Sequence, residues 1–468
     1  MVKLSRATSQ LAEYLGLELL GEDVLVSGVS ISAGEVEPGD IFVAIQGSRH
    51  HGLEFLDQAI KNGAVAVLSD RPSSLPTIIS SDPKAKLGEL CNLVLGEPKL
   101  QLFGVTGTNG KTSTVSYLHQ LLTAMGEPSG LSGSTGFQSQ QRSESSLLTT
   151  PELPTLRKFL SRLELEGARS AVLEVSAQAL IRHRVSGLRF AVSGFTNLSR
   201  DHLDDFGSME QYFKAKAQLF DPSRSAKAVV FVSDPWAKRL AEELAIPRLL
   251  IGPGQEVEYR FESGRLELSG RLNLSVEFRF GELMARNLSV ALGMLFVAGY
   301  SSERLEFAAG NLSQVPGRLE RVSDHTPHVY VDYAHTPDGI ASAVTELMSR
   351  YPGVTLVFGA SGNRDQGKRA EMGVAASGAT LVVLTDQHPR DEDPAAIRAQ
   401  IRLGLDSSGK QFEELADPEA AIRHAISITP REHAVLWCGP GHLEYREIAG
   451  SKVPFDAREI AKTAVEKS

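Results

Sequence analysis

The stretch that decides the fold is Leu102-Phe103-Gly104-Val105-Thr106-Gly107-Thr108-Asn109-Gly110-Lys111-Thr112-Ser113. An apolar strand runs into a glycine-rich turn, and a helical pattern over Val115–Leu122 follows. Glycines let backbone N–H groups converge on phosphate oxygens, the helix N-terminus adds its positive end, Lys111 adds a mobile charge and Thr112 offers Mg²⁺ a hydroxyl. Gly104 lies six residues before Gly110, one more than in the general template, and a plain glycine turn entering a helix is the alternative. The stretch predicts a phosphate-binding loop.

Strands and helices alternate on both sides of this loop. Upstream, the apolar runs Asp40–Ile45 and Ala64–Leu68 flank a helical segment at Phe55–Ile60. The stretch Gly96-Glu97-Pro98-Lys99 interrupts the pattern, which predicts a domain boundary near residue 98. Downstream we predict a helix at Glu210–Phe220, an antiparallel element at Val257–Phe280 and strands at Ser170–Val175, Phe190–Thr196, Val329–Tyr333, Val354–Phe358, Leu381–Thr385 and Ala434–Trp437. This order predicts the α/β class.

Composition places the chain among globular proteins. Its 468 residues, 42% hydrophobic and 22% charged, are enough for several domains. With 48 Lys+Arg against 57 Asp+Glu the net charge is −9, which disfavours non-specific nucleic-acid binding. Cys91 and Cys438 are too few for a disulfide framework and fit a reducing compartment, so we expect a cytoplasmic location. The sequence contains no run of about 18 apolar residues, which disfavours a membrane span.

A phosphate loop that works with Mg²⁺ needs oxygen ligands, and two strand ends offer candidates. Glu174 lies at the end of the strand predicted at Ser170–Val175, a poor place for an acid without a cationic partner. Asp201 and His202 follow the strand that ends at Thr196, in the kind of loop where open α/β sheets bind ligands. The structural alternatives are an arginine salt bridge for Glu174 and an ordinary loop histidine for His202.

Several motifs recur in a fixed order along the chain. The phosphate loop is followed by Phe195-Thr196-Asn197-Leu198-Ser199-Arg200-Asp201-His202-Leu203-Asp204 and by Tyr333-Ala334-His335-Thr336-Pro337. Gly359–Gly373 and Gly439-Pro440-Gly441-His442 come later. On these motifs the chain resembles the Mur ligases over nearly its whole length, and among them the group that forms the UDP-N-acetylmuramoyl tripeptide.

The resemblance implies a three-domain α/β architecture. A UDP-binding N-terminal domain would span residues 1–98, a central P-loop ATPase domain with a parallel sheet residues 99–316, and a Rossmann-like C-terminal domain that binds an amino acid residues 317–468. The implied activity is an ATP-dependent ligase of cytoplasmic peptidoglycan precursor synthesis, which joins a free amino acid to UDP-N-acetylmuramoyl-L-alanyl-D-glutamate through an acyl phosphate. The expected partners are these two substrates, with no nucleic acid, and the expected state is a monomer.

The resemblance also implies roles for individual residues. Lys216, by its own pattern one lysine on a solvated helix face, matches a carbamylated lysine that holds a second Mg²⁺ together with Glu174 and His202. The first Mg²⁺, on the ATP phosphates, would be held by Thr112 and Glu174. The implied catalytic residues are Lys111, Glu174, His202 and Lys216. The implied ATP contacts are Gly107, Thr108, Asn109, Gly110, Lys111, Thr112, Ser113, Asn287, Arg318 and Asp332. The implied contacts of the UDP-muramoyl dipeptide are Ser30, Ser32, Ser48, Arg49, His50, Thr149, Thr150, Ser176, Arg182 and Arg184. Departures from the family pattern are Ala33, Ala177, Gln178 and Met284.

The added amino acid is expected in the C-terminal domain, at Arg364, His388, Arg390 and Gly439. Leu443 replaces a glutamate with which the diaminopimelate-adding group holds the distal zwitterion, and loss of such a buried pair costs about 2–5 kcal/mol. This change favours lysine, ornithine or diaminobutyrate, and Glu444 next to it is a possible substitute for the missing acid. Arg390 opposes that choice because it would repel a cationic side chain. The identity of the added amino acid is therefore left open, with meso-diaminopimelate as the alternative.

Three rival functions are weighed against this one. The first is another amide ligase of the same superfamily, disfavoured by the N-terminal motifs and by Gly359–Gly373. The second is a Mur-like partner subunit that does not ligate, disfavoured because such subunits carry a cysteine cluster for zinc. The third is a P-loop ATPase that acts as a switch, which leaves Lys216 and the C-terminal motifs unexplained.

Overall fold

The computed structural model describes residues 5–47, 49–146 and 148–468. Three large sheets, of five, eleven and six strands, follow one another along the chain. They lie within residues 18–79, 101–277 and 320–438. Residues 98 and 316 fall in the two gaps between these ranges, and the domain boundaries themselves stay a prediction. None of the helices in the described ranges has the length and apolar character needed to cross a bilayer.

The first sheet is mostly parallel and has helices against it. Its strands, in spatial order, are Glu18–Leu20, Thr77–Ile79, Ala66–Ser69, Asp40–Val43 and Gly28–Ser30, and only the first pair is antiparallel. The accompanying helices are Thr8–Leu15, Leu56–Lys61 and Pro83–Leu95, with 3-10 turns at Ala33–Glu35 and Gly52–Phe55 and a short strand pair Arg6–Ala7 with Leu25–Val26. The strands ending at Ser30 and Val43 are parallel neighbours, so the loops that follow them meet at one edge of the sheet.

The second sheet has a parallel centre with antiparallel strands at both ends. Its spatial order is Ser143–Glu144, Gly136–Gln138, Ser129–Gly133, Ser170–Glu174, Gln101–Thr106, Val192–Phe195, Ala228–Phe231, Arg248–Ile251, Val257–Glu262, Arg265–Gly270 and Leu274–Glu277. The helices of this region are Lys111–Ala124, Leu153–Leu165, Ala177–Ile181, Leu203–Phe206, Met209–Ala217, Pro235–Glu243, Glu282–Val297 and Ser302–Ala309. The strand that feeds the phosphate loop lies between Ser170–Glu174 and Val192–Phe195, so three parallel strands end side by side.

The third sheet is parallel except at one edge. Its spatial order is Glu320–Arg321, His328–Asp332, Ala434–Cys438, Val354–Phe358, Leu381–Leu384 and Glu413–Glu414. Its helices are Pro337–Met348, Lys368–Ala376, Pro394–Ser407, Pro418–Ile428 and Ala457–Glu466. A separate hairpin, Tyr445–Ile448 with Ser451–Pro454, follows the strand Ala434–Cys438. The buried faces of these strands are rich in Val and Leu, as parallel strands covered on both sides require.

The three units, each built around one large sheet, are joined by apolar packing and by hydrogen bonds. One core cluster joins residues of the first and second sheets, and another joins residues of the second and third. Glu346 of the helix Pro337–Met348 accepts hydrogen bonds from the backbone N–H groups of Glu282 and Leu283, at 3.1 and 3.0 Å, and so caps the helix Glu282–Val297. A carboxylate at a helix N-terminus is electrostatically favourable, which ties the third unit to the second.

The predicted elements are recovered, with shifted ends. The helix after the phosphate loop begins at Lys111 and not at Val115, because the left-handed Gly110 ends the loop directly before it. The helix predicted at Glu210–Phe220 ends at Ala217 and continues as a 3-10 turn. The antiparallel element predicted at Val257–Phe280 is confirmed as three strands.

Candidate active site

The phosphate loop has the backbone shape that its glycines predict. Gly110 has a φ of +84°, and a Cβ there would lie 2.2 Å from Oδ1 of Asn287. Any larger residue would therefore meet both backbone strain and a steric clash. Asn109 donates its backbone N–H to Oδ1 of Asn197 at 2.9 Å, which holds the loop against the neighbouring strand end. The helix Lys111–Ala124 then presents its N-terminus to the cleft, as anion binding requires.

Two lysine amines donate hydrogen bonds to the same backbone oxygen of the phosphate loop. Nζ of Lys111 donates to the Gly107 carbonyl at 2.9 Å and to the Thr108 carbonyl at 2.8 Å. Nζ of Lys216 donates to the same Gly107 carbonyl at 2.7 Å, and this lysine is fully buried. Burial first, and then the charge of Lys111, holds the pKa of Lys216 well below its ordinary value. A lowered pKa increases the share of Lys216 that is the unprotonated amine, which is the reactive form of lysine.

Glu174 is a buried acid at the carboxyl end of its strand, as predicted. Its partners are not an arginine: Oε1 accepts the Ser134 backbone N–H at 2.9 Å and Oε2 accepts the Ser134 hydroxyl at 3.2 Å. Thr150 donates its hydroxyl to the Glu174 carbonyl at 2.8 Å and fixes the strand end. The carboxylate faces the cleft with Lys111 in its electrostatic reach.

His202 lies in the cleft with both ring nitrogens in polar contact. Its Nδ1 lies 2.9 Å from Nε2 of Gln178, which also reaches Oδ2 of Asp205 at 3.0 Å. Its Nε2 lies 3.4 Å from Oδ2 of Asp201. Gln178, which departs from the family pattern, therefore joins His202 and Asp205 through a single amide nitrogen. Burial lowers the pKa of His202, against the opposing charge of Asp201.

The third unit contributes an arginine and an acid to the loop. Arg318 donates to the hydroxyl of Thr112 at 2.7 Å, and its guanidinium carbon lies 4.4 Å from the ring centre of Tyr333. Asp332 accepts the backbone N–H groups of Leu319 and Ala334 at 2.6 and 2.7 Å. Burial raises the pKa of Asp332, against the lowering effect of Arg318. Asp332 therefore shapes the turn that carries Arg318 to the loop.

Two further contacts connect the second and third units inside the cleft. Nζ of Lys368 lies 2.8 Å from Oδ1 of Asp201, and both side chains are buried. His442 contacts the Ser134 carbonyl through Nε2 at 2.8 Å, so the residue that holds Glu174 also contacts the third unit. Sequence reasoning named none of Ser134, Gln178, Lys368 and His442 as a site residue. The turn Gly133-Ser134-Thr135-Gly136 after a strand was the available signal for Ser134.

One cleft of about 710 Å³ collects most of the predicted residues. It is lined by Thr108, Asn109, Gly110, Lys111, Thr112, Ser113, Asn287, Arg318 and Asp332 of the implied ATP contacts, and by Glu174, His202 and Lys216. It is also lined by Thr149, Ser176, Arg182 and Arg184 of the implied dipeptide contacts, and by Arg364, His388, Arg390 and Gly439 of the implied acceptor contacts. The Gly107 carbonyl is held by the two lysines, and Thr150 is buried behind Glu174.

The residues predicted for the uridine diphosphate lie apart from this cleft lining. Ser30 and Ser32 form a turn at the edge of the first sheet, with the Ser30 hydroxyl 2.9 Å from the Ser32 carbonyl. Arg49 and His50 are exposed in the loop that follows the neighbouring strand. Ser48 lies outside the described residues. These two loops share one sheet edge, and their role as a nucleotide-diphosphate site stays a prediction.

The acceptor region is built from two segments that pair through their backbones. Arg390 has a φ of +53°, a strained value for an arginine, and its N–H donates to the Glu447 carbonyl at 3.0 Å. Nε of Arg390 lies 3.1 Å from Oε2 of Glu447. The Glu447 N–H donates to Nδ1 of the buried His388 at 3.1 Å. His388 therefore holds the strand Tyr445–Ile448 in place through this hydrogen bond.

His388 provides a test of this packing through pH. Burial, followed by Arg390 and Arg446, lowers the pKa of His388 to about 4, whereas an unfolded histidine has a pKa of about 6.5. The neutral ring therefore contributes stability above pH 6.5 that is lost as pH falls toward 4. Between about pH 7.5 and 4.5 we expect the melting temperature to fall more for the wild type than for His388→Asn, whose amide oxygen can still accept from Glu447. The melting temperatures are measured by differential scanning fluorimetry. An equal fall in the wild type and in His388→Asn would contradict a buried, neutral His388 ring.

Comparison with known proteins fits this geometry. A phosphate loop, buried lysines and an arginine from the next unit around one cleft define a nucleotide-dependent enzyme of three α/β units. The Mur ligase middle domain model matches residues 105–276, the Mur ligase glutamate ligase domain model residues 317–441, and the Mur ligase family catalytic domain model residues 25–94. The chain belongs to the Mur ligase family, and it is an ATP-dependent ligase.

Individual relatives cover nearly the whole chain. A UDP-N-acetylmuramyl-tripeptide synthetase of Leifsonia xyli subsp. xyli is 40% identical, over 99% of this chain and 97% of that protein. A UDP-N-acetylmuramoyl-L-alanyl-D-glutamate--2,6-diaminopimelate ligase of Xylella fastidiosa is 36% identical, over 98% and 97%. A solved structure of a ligase with the latter name has a TM-score of 0.66 at 28% identity and covers 95% of both chains. MurF of Thermotoga maritima in complex with ADP shares the fold, with a TM-score of 0.67 at 21% identity over 94% of this chain and 98% of that one.

Proposed function

We propose that this chain adds the third amino acid, a diamino acid, to UDP-N-acetylmuramoyl-L-alanyl-D-glutamate in an ATP-dependent reaction of peptidoglycan precursor synthesis. The observation that carries the proposal is that the phosphate loop and the Arg390 region line the same cleft. A ligase must hold a nucleotide and an amine acceptor within reach of one carboxylate, and a shared cleft provides that proximity. The tripeptide synthetase similar over 99% of the chain supports the substrate assignment.

The arrangement of charges supports a phosphoryl-transfer step. Lys111 and the N-terminus of the helix Lys111–Ala124 would bind the β- and γ-phosphates, and Arg318 would approach them from the third unit. The D-glutamyl carboxylate would attack the γ-phosphate and release ADP, giving an acyl phosphate. The unprotonated α-amine of the acceptor would then attack that carbonyl and expel phosphate. Each step depends on positioning and on neutralising charge, which the cationic lining supplies.

Mg²⁺ and a carbamate on Lys216 belong to the proposal. The Thr112 hydroxyl and the Glu174 carboxylate are oxygen donors that face the cleft, and Mg²⁺ prefers such ligands. Mg²⁺ would neutralise phosphate charge when bound. His202 would join the ligands only by exchanging one of its present contacts, with Gln178 or Asp201. The lowered pKa of the buried Lys216 favours the amine form, which is the form that reacts with CO₂, and the carbamate formed would be an oxygen donor.

Location and assembly follow from the same proposal. The proposed substrates, ATP and a free amino acid, favour a cytoplasmic location, and the monomeric state stays a prediction. Cys91 and Cys438, the two cysteines of the chain, are both buried, one in the helix Pro83–Leu95 and one at the end of the strand Ala434–Cys438. They are therefore placed in different units and do not form a joint zinc site, which weighs against the partner-subunit alternative.

The test is product formation. The chain is incubated with ATP, Mg²⁺, UDP-N-acetylmuramoyl-L-Ala-D-Glu and, separately, lysine, ornithine, diaminobutyrate, meso-diaminopimelate or homoserine, and the products are weighed by mass spectrometry. We expect one dominant adduct, formed with a diamino acid, together with one ADP per adduct. ATP hydrolysis that does not depend on the muramoyl nucleotide, without any adduct, would refute the proposal and favour the switch alternative.

A further inference from the structure

The acceptor end of the cleft contains a carboxylate that no motif predicted. From residue 387 to residue 447, the residues that line the cleft are Gln387, His388, Arg390, Gly439, His442, Leu443, Tyr445 and Glu447. Glu447 carries the one carboxylate among them, and it pairs with Arg390 through Nε and Oε2 at 3.1 Å. Its side chain is 36% exposed, so it keeps a surface that a ligand can reach.

Glu444 does not take this place. Its side chain is 72% exposed, it lies outside the residues that line the cleft, and it faces Arg458 at 3.6 Å. Glu444 would therefore have to leave Arg458 and turn into the cleft to substitute for the acid missing at Leu443, whereas Glu447 already lines it. On a strand, neighbouring residues point to opposite faces, and Glu447 is two residues from Tyr445, which also lines the cleft. Glu447 and Tyr445 thus share the face of the strand that lines the cleft.

The backbone holds Glu447 in a fixed register beside Arg390. The Glu447 carbonyl accepts the Arg390 N–H at 3.0 Å, and the Arg390 carbonyl accepts the Ala449 N–H at 2.7 Å. His388 accepts the Glu447 N–H at 3.1 Å, and the same segment receives a hydrogen bond from Nε of Arg446 to the Gln387 carbonyl at 2.7 Å. A recognition side chain needs such support, because an error of about 1 Å in its position weakens binding.

A buried polar atom three residues before Arg390 is also left without a partner. Oε1 of Gln387 is buried and has no hydrogen-bond partner among the described residues. Gln387 stands at the first position of the segment that ends with Arg390, and its amide packs against Gly439, where a Cβ would lie 2.2 Å from Nε2. A buried acceptor atom without a donor carries a free-energy cost, and this atom belongs to a residue that lines the cleft.

Resting on the proposed function, we propose that Glu447 is the residue that selects a diamino acid, by accepting the side-chain ammonium while Arg390 holds a carboxylate of the same amino acid. The Arg390–Glu447 pair has no net charge. A ligand that brings one ammonium and one carboxylate therefore leaves the net charge around the pair unchanged. A carboxylate offers about four lone-pair sites, and one contact with Arg390 leaves room for an ammonium. The pairing reduces the conflict between Arg390 and a cationic side chain, because the Glu447 carboxylate neutralises the arginine charge.

The experiment measures acceptor selectivity. The diamino acid preferred by the wild type is compared with its analogue that carries a methyl group in place of the side-chain ammonium, and kcat and KM are determined for both. In Glu447→Gln we expect the ratio of the two kcat/KM values to fall by about 10-fold to 100-fold, as for loss of a charged hydrogen bond. The fall should arise from KM of the diamino acid, with KM of ATP unchanged.

Two variants keep the result interpretable. Glu444→Gln, three residues earlier and outside the cleft, should leave the ratio unchanged. Glu447→Asp keeps the charge and should restore part of the selectivity, and it is the variant to measure if Glu447→Gln does not fold. An unchanged ratio in a folded Glu447→Gln would overturn the inference while the proposed function stands. The absence of any adduct with the wild type would overturn the proposed function itself.

Discussion

Replacing Lys216 by alanine is expected to lower kcat of ligation by about 100-fold or more, the scale seen when one preorganised charge-stabilising group is removed from an active site. Lys216 is fully buried on the helix Met209–Ala217, and its Nζ lies 2.7 Å from the Gly107 carbonyl and 4.4 Å from the ring centre of Tyr212. The Gly107 carbonyl also accepts a hydrogen bond from Lys111, so it keeps a donor when Lys216 is removed. We therefore expect its loss to affect the chemistry more than the fold.

The control for this prediction lies on the same helix. Lys214 is 59% exposed and lies 3.4 Å from Glu210, so Lys214→Ala removes a lysine two positions away without touching the cleft. It should keep kcat within about 2-fold, because exposed pairs contribute little. Carbon-13-labelled bicarbonate should give a carbamate signal in the NMR spectrum of the wild type and of Lys214→Ala, but not of Lys216→Ala. Bicarbonate should not restore Lys216→Ala, and near-normal kcat in that variant would remove the proposed role of Lys216.

Lys368→Met is expected to destabilise the chain by about 3–5 kcal/mol, the usual cost of leaving one member of a buried ion pair alone. Asp201 is 4% exposed, and Lys368 meets its Oδ1 at 2.8 Å. Burial acts to raise the pKa of Asp201, but His202, Lys368 and His335 together hold it well below its ordinary value. The carboxylate is therefore ionised in the fold, and its stabilising contribution is present above the unfolded pKa of about 3.9 and is lost as pH falls below it.

The readout for this pair is a double-mutant cycle at pH 7. Lys368→Met, Asp201→Asn and the double variant are compared by chemical denaturation, with the exposed Lys462→Met as the matched control. We expect the double variant to lose less than the sum of the two single losses, because removing both charges leaves no isolated ion. Because the pair joins the helix Lys368–Ala376 to the loop after Val192–Phe195, ligation should weaken as well. Additive losses would show that the two side chains do not depend on each other.

The phosphate loop could be predicted from sequence because its signals are local. Glycine turns, an apolar strand and a helix start lie within a dozen residues, and each obeys short-range rules of backbone geometry. The position of Glu174 at a strand end could be predicted for the same reason. Its partner could not, since Ser134 lies 40 residues away and meets Glu174 only because the strands Ser129–Gly133 and Ser170–Glu174 are neighbours.

Lys216 illustrates the opposite case. Its helix pattern indicated a solvated lysine, and only the resemblance to a family singled it out. The structure buries it because the helix Met209–Ala217 packs against the loop, where Tyr212 and the Gly107 carbonyl surround the amine. Burial is a property of the surroundings in three dimensions, and a helical period identifies a buried face only when that face is apolar.

By itself the sequence determined the α/β class, the phosphate loop and, through its ordered motifs, membership in a ligase family, because strand and helix periods and glycine turns act over short distances. The tertiary structure alone decided which side chains share the cleft. It pairs Asp201 with Lys368 across two units and brings the Gln178 amide into contact with the His202 ring. It also places Glu447, rather than Glu444, beside Arg390. These contacts arise from strand order and from the packing of units, and both depend on parts of the chain that lie far apart in sequence.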